Sequence, residues 1–444
     1  MLKRNFETRG ETFWEQLIPF LLGLALLLSI CTNLRMAVFP VGPGELLLGV
    51  LAALGVAYGK FCRYLKTPVV MFWFFAFIGM LLGYLAANQS GASASHHSMA
   101  YAFVAAVTVG LSALLRLLSD GALRRVIYWL CTMTAICLWF GFIVYLSGDV
   151  ALSKALHMVD MGDTRYSGWS INPNQLALFF VPLPVWVAAV WRDVTNPHRL
   201  QIAGFGLLLF ALMLMGLLVR SDGLLVVWLF EFFILIMLRL RWEIKASRMS
   251  LLAYALVMVV CVLLVKTFAH GEVRKSVRCV VEAISQGEVW ATKCYEAQAF
   301  KDQEAFRIGY SDPIEKTGIR QQLWQHGLKA WAQSPWIGYG PGEYSWIETD
   351  TQGERTEAME PHNITIDLLT QGGLFAGLAW ITLVSYLLIY AWRIQDSYTF
   401  SVILMMAAFT FFHNTRQPYF WFVLAMSYEA IRRRLFVSQP IDKA

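Results

Sequence analysis

The chain has 444 residues, of which 57% are apolar and only 15% charged, with a net charge of +6. Ordinary soluble domains carry about 25% charged residues, so a soluble surface of this size cannot be covered. The 30 Phe, 17 Trp and 17 Tyr rule out disorder, and soluble enzymes, secreted disulfide scaffolds and nucleic-acid readers are excluded in favour of a polytopic membrane protein.

In chain order, apolar runs near the roughly 20 residues that span a bilayer fall at 17–34, 44–59, 68–87, 98–116, 126–147, 174–191, 201–219, 223–239, 250–268, 364–391, 398–413 and 418–436. They predict an all-α protein of about twelve transmembrane helices with one large extramembrane loop. The run at 44–59 is short enough to be tilted or partly re-entrant. Lys3, Arg4 and Arg9 place the N-terminus in the cytoplasm, and Lys60, Arg63, Lys66, Arg124, Arg125, Arg192, Arg199, Arg239, Arg241, Lys245, Arg248, Arg393 and Arg432–Arg434 then fall in cytoplasmic segments. Both termini are thus expected inside. The chain divides into helices 1–9 over 1–266, a large outer loop over 267–363, and helices 10–12 with the C-terminus over 364–444.

Within the outer loop, Ile319 to Ser334 predicts an amphipathic helix with Trp324, Leu328 and Trp331 on its apolar side, Gly327 inside it and Pro335 stopping it. The glycine-rich turn Trp336-Ile337-Gly338-Tyr339-Gly340-Pro341-Gly342 follows. Five of the seven cysteines lie in or beside apolar runs; Cys279 and Cys294 share the loop, and whether they pair is left open.

Cations on the outer side run against the insertion bias and call for a reason. Arg165, Arg220, Arg320 and Arg416 are four such residues, whereas Arg35, ending the first run without polar company, reads as snorkelling to headgroups. A guanidinium offers planar paired donors that suit phosphate oxygens, and fixed cations stabilise a departing diphosphate as a glycosidic bond breaks. Asp163 and Asp222 are not spaced as a ligand set, so the expected site is free of metal and cofactor. His362, in Glu360-Pro361-His362-Asn363 at the mouth of the tenth run, is the candidate base for an acceptor hydroxyl, in competition with His96, His97, His326 and His413.

Arg320-x-x-x-Trp324, then Ser334-Pro335-Trp336-Ile337-Gly338-Tyr339-Gly340-Pro341-Gly342-Glu343-Tyr344, then His362-Asn363 ahead of Leu368-Leu369, Gly372-Gly373 and Gly377, resembles the O-antigen ligase and polymerase superfamily. Arg165-Tyr166-Ser167-Gly168 with Asn172-Pro173-Asn174 is similar to its second signature. The resemblance implies a GT-C-type glycosyltransferase of the bacterial inner membrane, taking glycan from undecaprenyl diphosphate on the periplasmic face. The acceptor is lipid A-core in ligases, another lipid-linked repeat in polymerases, and a protein hydroxyl in a third branch. It implies catalytic roles for Arg220, Arg320 and His362; Arg165 and Arg416, singled out as outer-side arginines, are the candidate substrate-binding residues beside them. At the seventh run the family often reads Ser-Arg-Gly where this chain has Arg220-Ser221-Asp222-Gly223. Ligation is the favoured branch, because a single outer loop dominates. A transporter would also have many spans, but would show matched halves and mid-span charge, for which Glu231 is the main candidate.

Overall fold

The computed structural model describes residues 2–35, 41–59, 65–87, 92–147, 150–159, 166–192, 198–219, 221–242, 248–267, 313–345, 360–411 and 416–434. Among these the secondary structure is helical, without strands. In order the helices are α1 (Leu2–Ile30), α2 (Pro43–Tyr58), α3 (Pro68–Ala87), α4 (Ala92–Leu117), α5 (Asp120–Ser147), α6 (Val150–Ala155), α7 (Pro173–Phe180), α8 (Leu183–Arg192), α9 (Arg199–Leu218), α10 (Asp222–Trp242), α11 (Arg248–Thr267), α12 (Pro313–Gln333), α13 (Ile364–Arg393), α14 (Ser397–Phe409) and α15 (Pro418–Arg433). Proline opens α2, α3, α7, α12 and α15, a position where its missing N–H has no helical partner to lose.

Each of the apolar runs falls on helix, the run 174–191 on two, α7 and α8, with a break at 181–182. Among the described residues seven stretches are long and apolar enough to cross a bilayer: Phe13–Ile30, Pro68–Ala87, Ala94–Leu117, Asp120–Ser147, Pro173–Trp191, Arg199–Leu218 and Ile364–Arg393. The helices over Pro43–Tyr58, Gly223–Leu238, Tyr254–Leu263 and Ser397–Phe409 are apolar but shorter. Leu85, Ile136, Ile143 and Leu207 stand exposed on the outside of the bundle, as side chains do when lipid replaces water as the neighbour.

The helices that frame the site are α3, α4, α12, α13 and α15. α3 packs along α13, α4 packs on α2 and α15, and α12 lies on α13. Small residues let the first pair close up: a methyl at Gly79 would sit 2.3 Å from the Gly372 carbonyl oxygen. An aromatic hub ties three of these helices together, with the Phe72 and Trp73 rings of α3 4.7 and 4.6 Å from that of Trp421 in α15, and Trp380 of α13 at 6.1 Å. At the opposite end Arg433 donates to the Leu115, Arg116 and Leu118 carbonyls, capping the last turn of α4.

Two sequence expectations change. Arg35 does not stand alone: it donates to the buried Glu45 carboxylate at 2.6 and 3.0 Å, and Glu45 also accepts from the Gly42 N–H. The helix expected from residue 319 begins at Pro313, and its buried face centres on Leu323, His326 and Gly327, leaving Leu328 exposed. Gly327 sets that face, because its missing side chain brings α12 against Ile366, Ser345 and Pro361.

Candidate active site

The glycine-rich turn after α12 sits in a break in α13. Gly373 has φ 60° and ψ −155°, a conformation essentially restricted to glycine, and it splits α13 into a short outer piece and a long inner one. The amides of Tyr339 and Gly340 donate to the Thr370 and Gln371 carbonyls at 2.9 and 2.8 Å, and Leu374 N–H donates to the Pro335 carbonyl at 2.9 Å. The turn folds back on itself, since Ser334 Oγ donates to the Gly338 carbonyl, and the Tyr344 hydroxyl donates to the Tyr339 and Gly340 carbonyls. The Tyr339 and Tyr344 rings stack at 5.3 Å.

The outer piece of α13 begins just after His362. Asn363 caps it, its side-chain oxygen accepting from the Thr365 and Ile366 amides at 3.0 and 3.2 Å. His362 is held at φ 48°, an unusual conformation for a residue with a side chain. From α12, Trp324 Nε1 donates to the Pro361 carbonyl at 3.1 Å, docking that helix beside the imidazole. Arg320, one turn before Trp324, lies close enough for its cation to act on His362. Burial first, and the Arg320 charge second, hold the imidazole below its ordinary value of 6.5, so it is a neutral base around pH 7.

A second group of polar side chains adjoins this segment. Arg416 pairs with Glu360 and bonds the His97 ring at 2.8 Å, while His97 Nε2 lies 3.4 Å from Glu343. Burial lowers Arg416 from its ordinary range, and Tyr101 and then Glu343 partly restore it. His97, Glu343 and Glu360 present donor atoms within 4.8 Å of one another, which suits a divalent cation in size, but the guanidinium is already bonded among them. Five residues after His362, Asp367 is buried and accepts from the Tyr101 hydroxyl at 3.0 Å and from Gln371 Nε2 at 2.5 Å.

The structure therefore brings together Arg320, His362 and Arg416 around residues 360–363. Arg165 and Arg220 lie outside the described residues, as do His413, Cys279, Cys294 and the first half of the large loop. Their described neighbours meet: Tyr166 N–H donates to the Leu218 carbonyl at 3.3 Å. Of the competing histidines, His96 is exposed and His326 is buried on α12. Glu231 is fully buried and accepts from the Tyr254 hydroxyl at 3.3 Å, away from this group. Glu343, Glu360, Tyr101 and Asp367 were not candidate site residues from sequence, and His97 entered only as one of the histidines competing with His362; the signals in it are the four-residue spacing of His97 and Tyr101 and the position of Asp367 in the first turn after His362.

Two apolar clefts open sideways from the bundle. One of roughly 310 Å³ lies between α3 and α13, lined by Phe72, Phe75, Phe375, Leu378 and Tyr386 among others; the other, of roughly 320 Å³, lies between α3 and α4 and is lined by Trp73, Phe77, Ala102 and Ala105.

Fold and site define a multi-pass helical membrane protein with a neutral imidazole and two guanidinium groups at the mouth of a broken helix. Residues 205–381 match the O-Antigen ligase family, which supports the superfamily resemblance carried by the motifs. The match includes Arg220, Arg320 and His362 and stops short of Arg165 and Arg416. No curated protein matches the chain.

Proposed function

We propose that the protein transfers a glycan from undecaprenyl diphosphate to an acceptor hydroxyl at the periplasmic face of the bacterial inner membrane, by ligation to lipid A-core during lipopolysaccharide assembly. The observation that carries this reading is the pairing of His362 with Arg320: a base kept neutral beside a cation that is always charged. His362 takes the proton of the attacking hydroxyl, the hydroxyl oxygen bonds to the anomeric carbon, and the diphosphate leaves with the bonding electrons. Attack from the side opposite the diphosphate inverts the anomeric centre. Arg320 and Arg220 meet the charge that builds on the diphosphate, with Arg165 and Arg416 as further contacts. A guanidinium has five N–H donors, so the bonds Arg416 makes to His97 and Glu360 leave donors for a phosphate oxygen.

In this reading about twelve helices cross the membrane, both termini face the cytoplasm, the 267–363 loop faces the periplasm, and the fold is of the GT-C type. The apolar clefts beside α3 suit a polyprenyl chain that enters from lipid, and no metal or cofactor takes part. Polymerisation on a second lipid-linked repeat and transfer to a protein hydroxyl use the same chemistry with another acceptor. The test is to replace His362 and Arg320 separately with alanine and follow glycan transfer in a deletion strain. Each variant should accumulate in the membrane yet lose transfer; near-normal transfer in both would refute the assignment. In the deletion strain itself, loss of all long chains with undecaprenyl-linked polymer retained means ligation, and a single-repeat band means polymerisation.

A further inference from the structure

The segment from Glu360 to Asp367 carries His362, and its geometry is demanding. A positive φ at a histidine is held only where the surroundings over-determine it. On the α12 side the Trp324 bond to Pro361 does part of this. The Ile364 N–H also donates to the Thr410 carbonyl at 3.1 Å, and on the opposite side from α12 two further anchors lead to one face of α4. At the start of the segment Glu360 pairs with Arg416, whose guanidinium is bonded to His97. At its end Asp367 accepts the Tyr101 hydroxyl. His97 and Tyr101 are four residues apart, about 6 Å along the helix, so they point the same way one turn from each other.

We propose that His97 and Tyr101 are positioning residues that act as a two-point clamp, holding the catalytic segment at Glu360 through Arg416 and at Asp367 directly. Neither residue lies in the matched stretch 205–381, so α4 completes the site from outside it. Both are nearly sealed from solvent, at 3% and 0% exposure, where a polar group persists only if its hydrogen bonds are made. Asp367 is equally sealed, so removing the Tyr101 hydroxyl leaves one carboxylate oxygen without that donor and frees the first turn of the outer piece of α13. A displacement of about 1 Å of a catalytic group costs on the order of 10²-fold in rate. At Tyr101 the clamp therefore acts on the chemical step and not on donor binding, whereas at His97 it also sets Arg416, a contact of the donor in the transfer reading.

This inference rests on the transfer reading, and the experiment separates the two. Full-length wild type, Tyr101→Phe, His97→Leu and His97→Gln are purified in nanodiscs and supplied with undecaprenyl-diphosphate-linked glycan and lipid A-core. Hydrogen exchange at the amides of residues 362–367 is followed on the same samples. Tyr101→Phe and His97→Leu should speed exchange in this segment and lower kcat by roughly 10- to 100-fold, with the donor KM within about twofold for Tyr101→Phe and raised beyond that for His97→Leu, which also releases Arg416. His97→Gln, which still offers Arg416 a hydrogen-bonding side chain, should keep most of the rate. In a His362→Ala background Tyr101→Phe should lower residual transfer no further, which a loss of general stability would not reproduce. Unchanged exchange overturns the clamp, and so does faster exchange with normal kcat. A wild type that holds the segment against exchange but transfers nothing overturns the transfer reading, and the rate claim with it, while leaving the clamp's structural half in place.

Discussion

Replacing Gly373 with alanine tests the broken helix on which the site is built. At φ 60° and ψ −155° an L side chain is strained by about 1–3 kcal/mol before any contact is counted. Its Cβ would also lie 2.3 Å from both the carbonyl carbon and oxygen of Trp336 and 2.4 Å from Ile337 N, all backbone atoms that cannot rotate aside. The turn must then leave the break, losing the bonds from Tyr339, Gly340 and Leu374, at about 1 kcal/mol each. If α13 straightens to recover its own bonds, the turn's amides are left unpaired at a similar cost. The expected loss is roughly 3–5 kcal/mol, with transfer down on the order of 10²-fold because the outer piece carries Asp367 and adjoins His362. The control is Gly204→Ala in α9, where a Cβ would meet nothing within 4 Å and helix propensity favours alanine by up to about 1 kcal/mol. Thermal unfolding of both variants in one detergent, with transfer assayed in parallel, gives the comparison. A Gly373→Ala protein that unfolds and transfers like wild type would show that the break does not depend on glycine.

Three other perturbations have defined outcomes. Arg35→Ala strands the buried Glu45 carboxylate and should cost about 1–3 kcal/mol in unfolding, discounted because Arg35 is one-third exposed; Arg35→Ala with Glu45→Ala together should recover part of it. Asn363→Ala removes the acceptor for two amides at the start of α13, so stability should fall by about 1–2 kcal/mol and transfer should fall with it, whereas Ser at the same position should restore most of both. Because the base form of His362 is the active one and its pKa is lowered, the acid limb of the transfer rate should lie below pH 6.5; Arg320→Gln, assayed on its residual rate, should move that limb upward, and an unmoved limb would remove Arg320 from the imidazole's surroundings. The unfolded chain binds a proton at this histidine at higher pH than the folded one, so stability should also fall as pH drops through 6.5.

Helix positions were legible because each apolar run had to be paired internally or face lipid, and all lie on helix, with 174–191 divided between α7 and α8. The break at Gly373 was not: inside the apolar run 364–391 a Gly-Gly pair reads equally as close packing, as it is at Gly372 against Gly79, or as a change of direction. What decides between them is the turn at 335–340, whose amides reach the freed carbonyls. Arg35 was misread for the opposite reason, since its partner Glu45 is only ten residues away but sits at the start of a run read as a span. Arg320 and His362 were singled out through motif order, and the fold places them together. The Arg416 bond to His97 spans 319 residues and leaves no local trace in the sequence.

The two motif groups, the turn at 334–343 and the stretch 362–373, are separate in sequence and one unit in space. Gly373 lies nine residues into α13, about 14 Å along its axis, where bilayer would offer no partner to an open carbonyl or amide. Broken backbone at that depth requires another segment to supply its hydrogen bonds, and the glycine-rich turn supplies three of them. Gly83 of α3 leaves the space through which the turn enters, since a methyl there would lie 2.5 Å from the Ile337 carbonyl oxygen. Once inserted, the turn carries Glu343 beside His97, which also binds Arg416 and so reaches Glu360. The need to satisfy a broken helix in lipid is thus what delivers the polar side chains to the mouth of α13, next to His362.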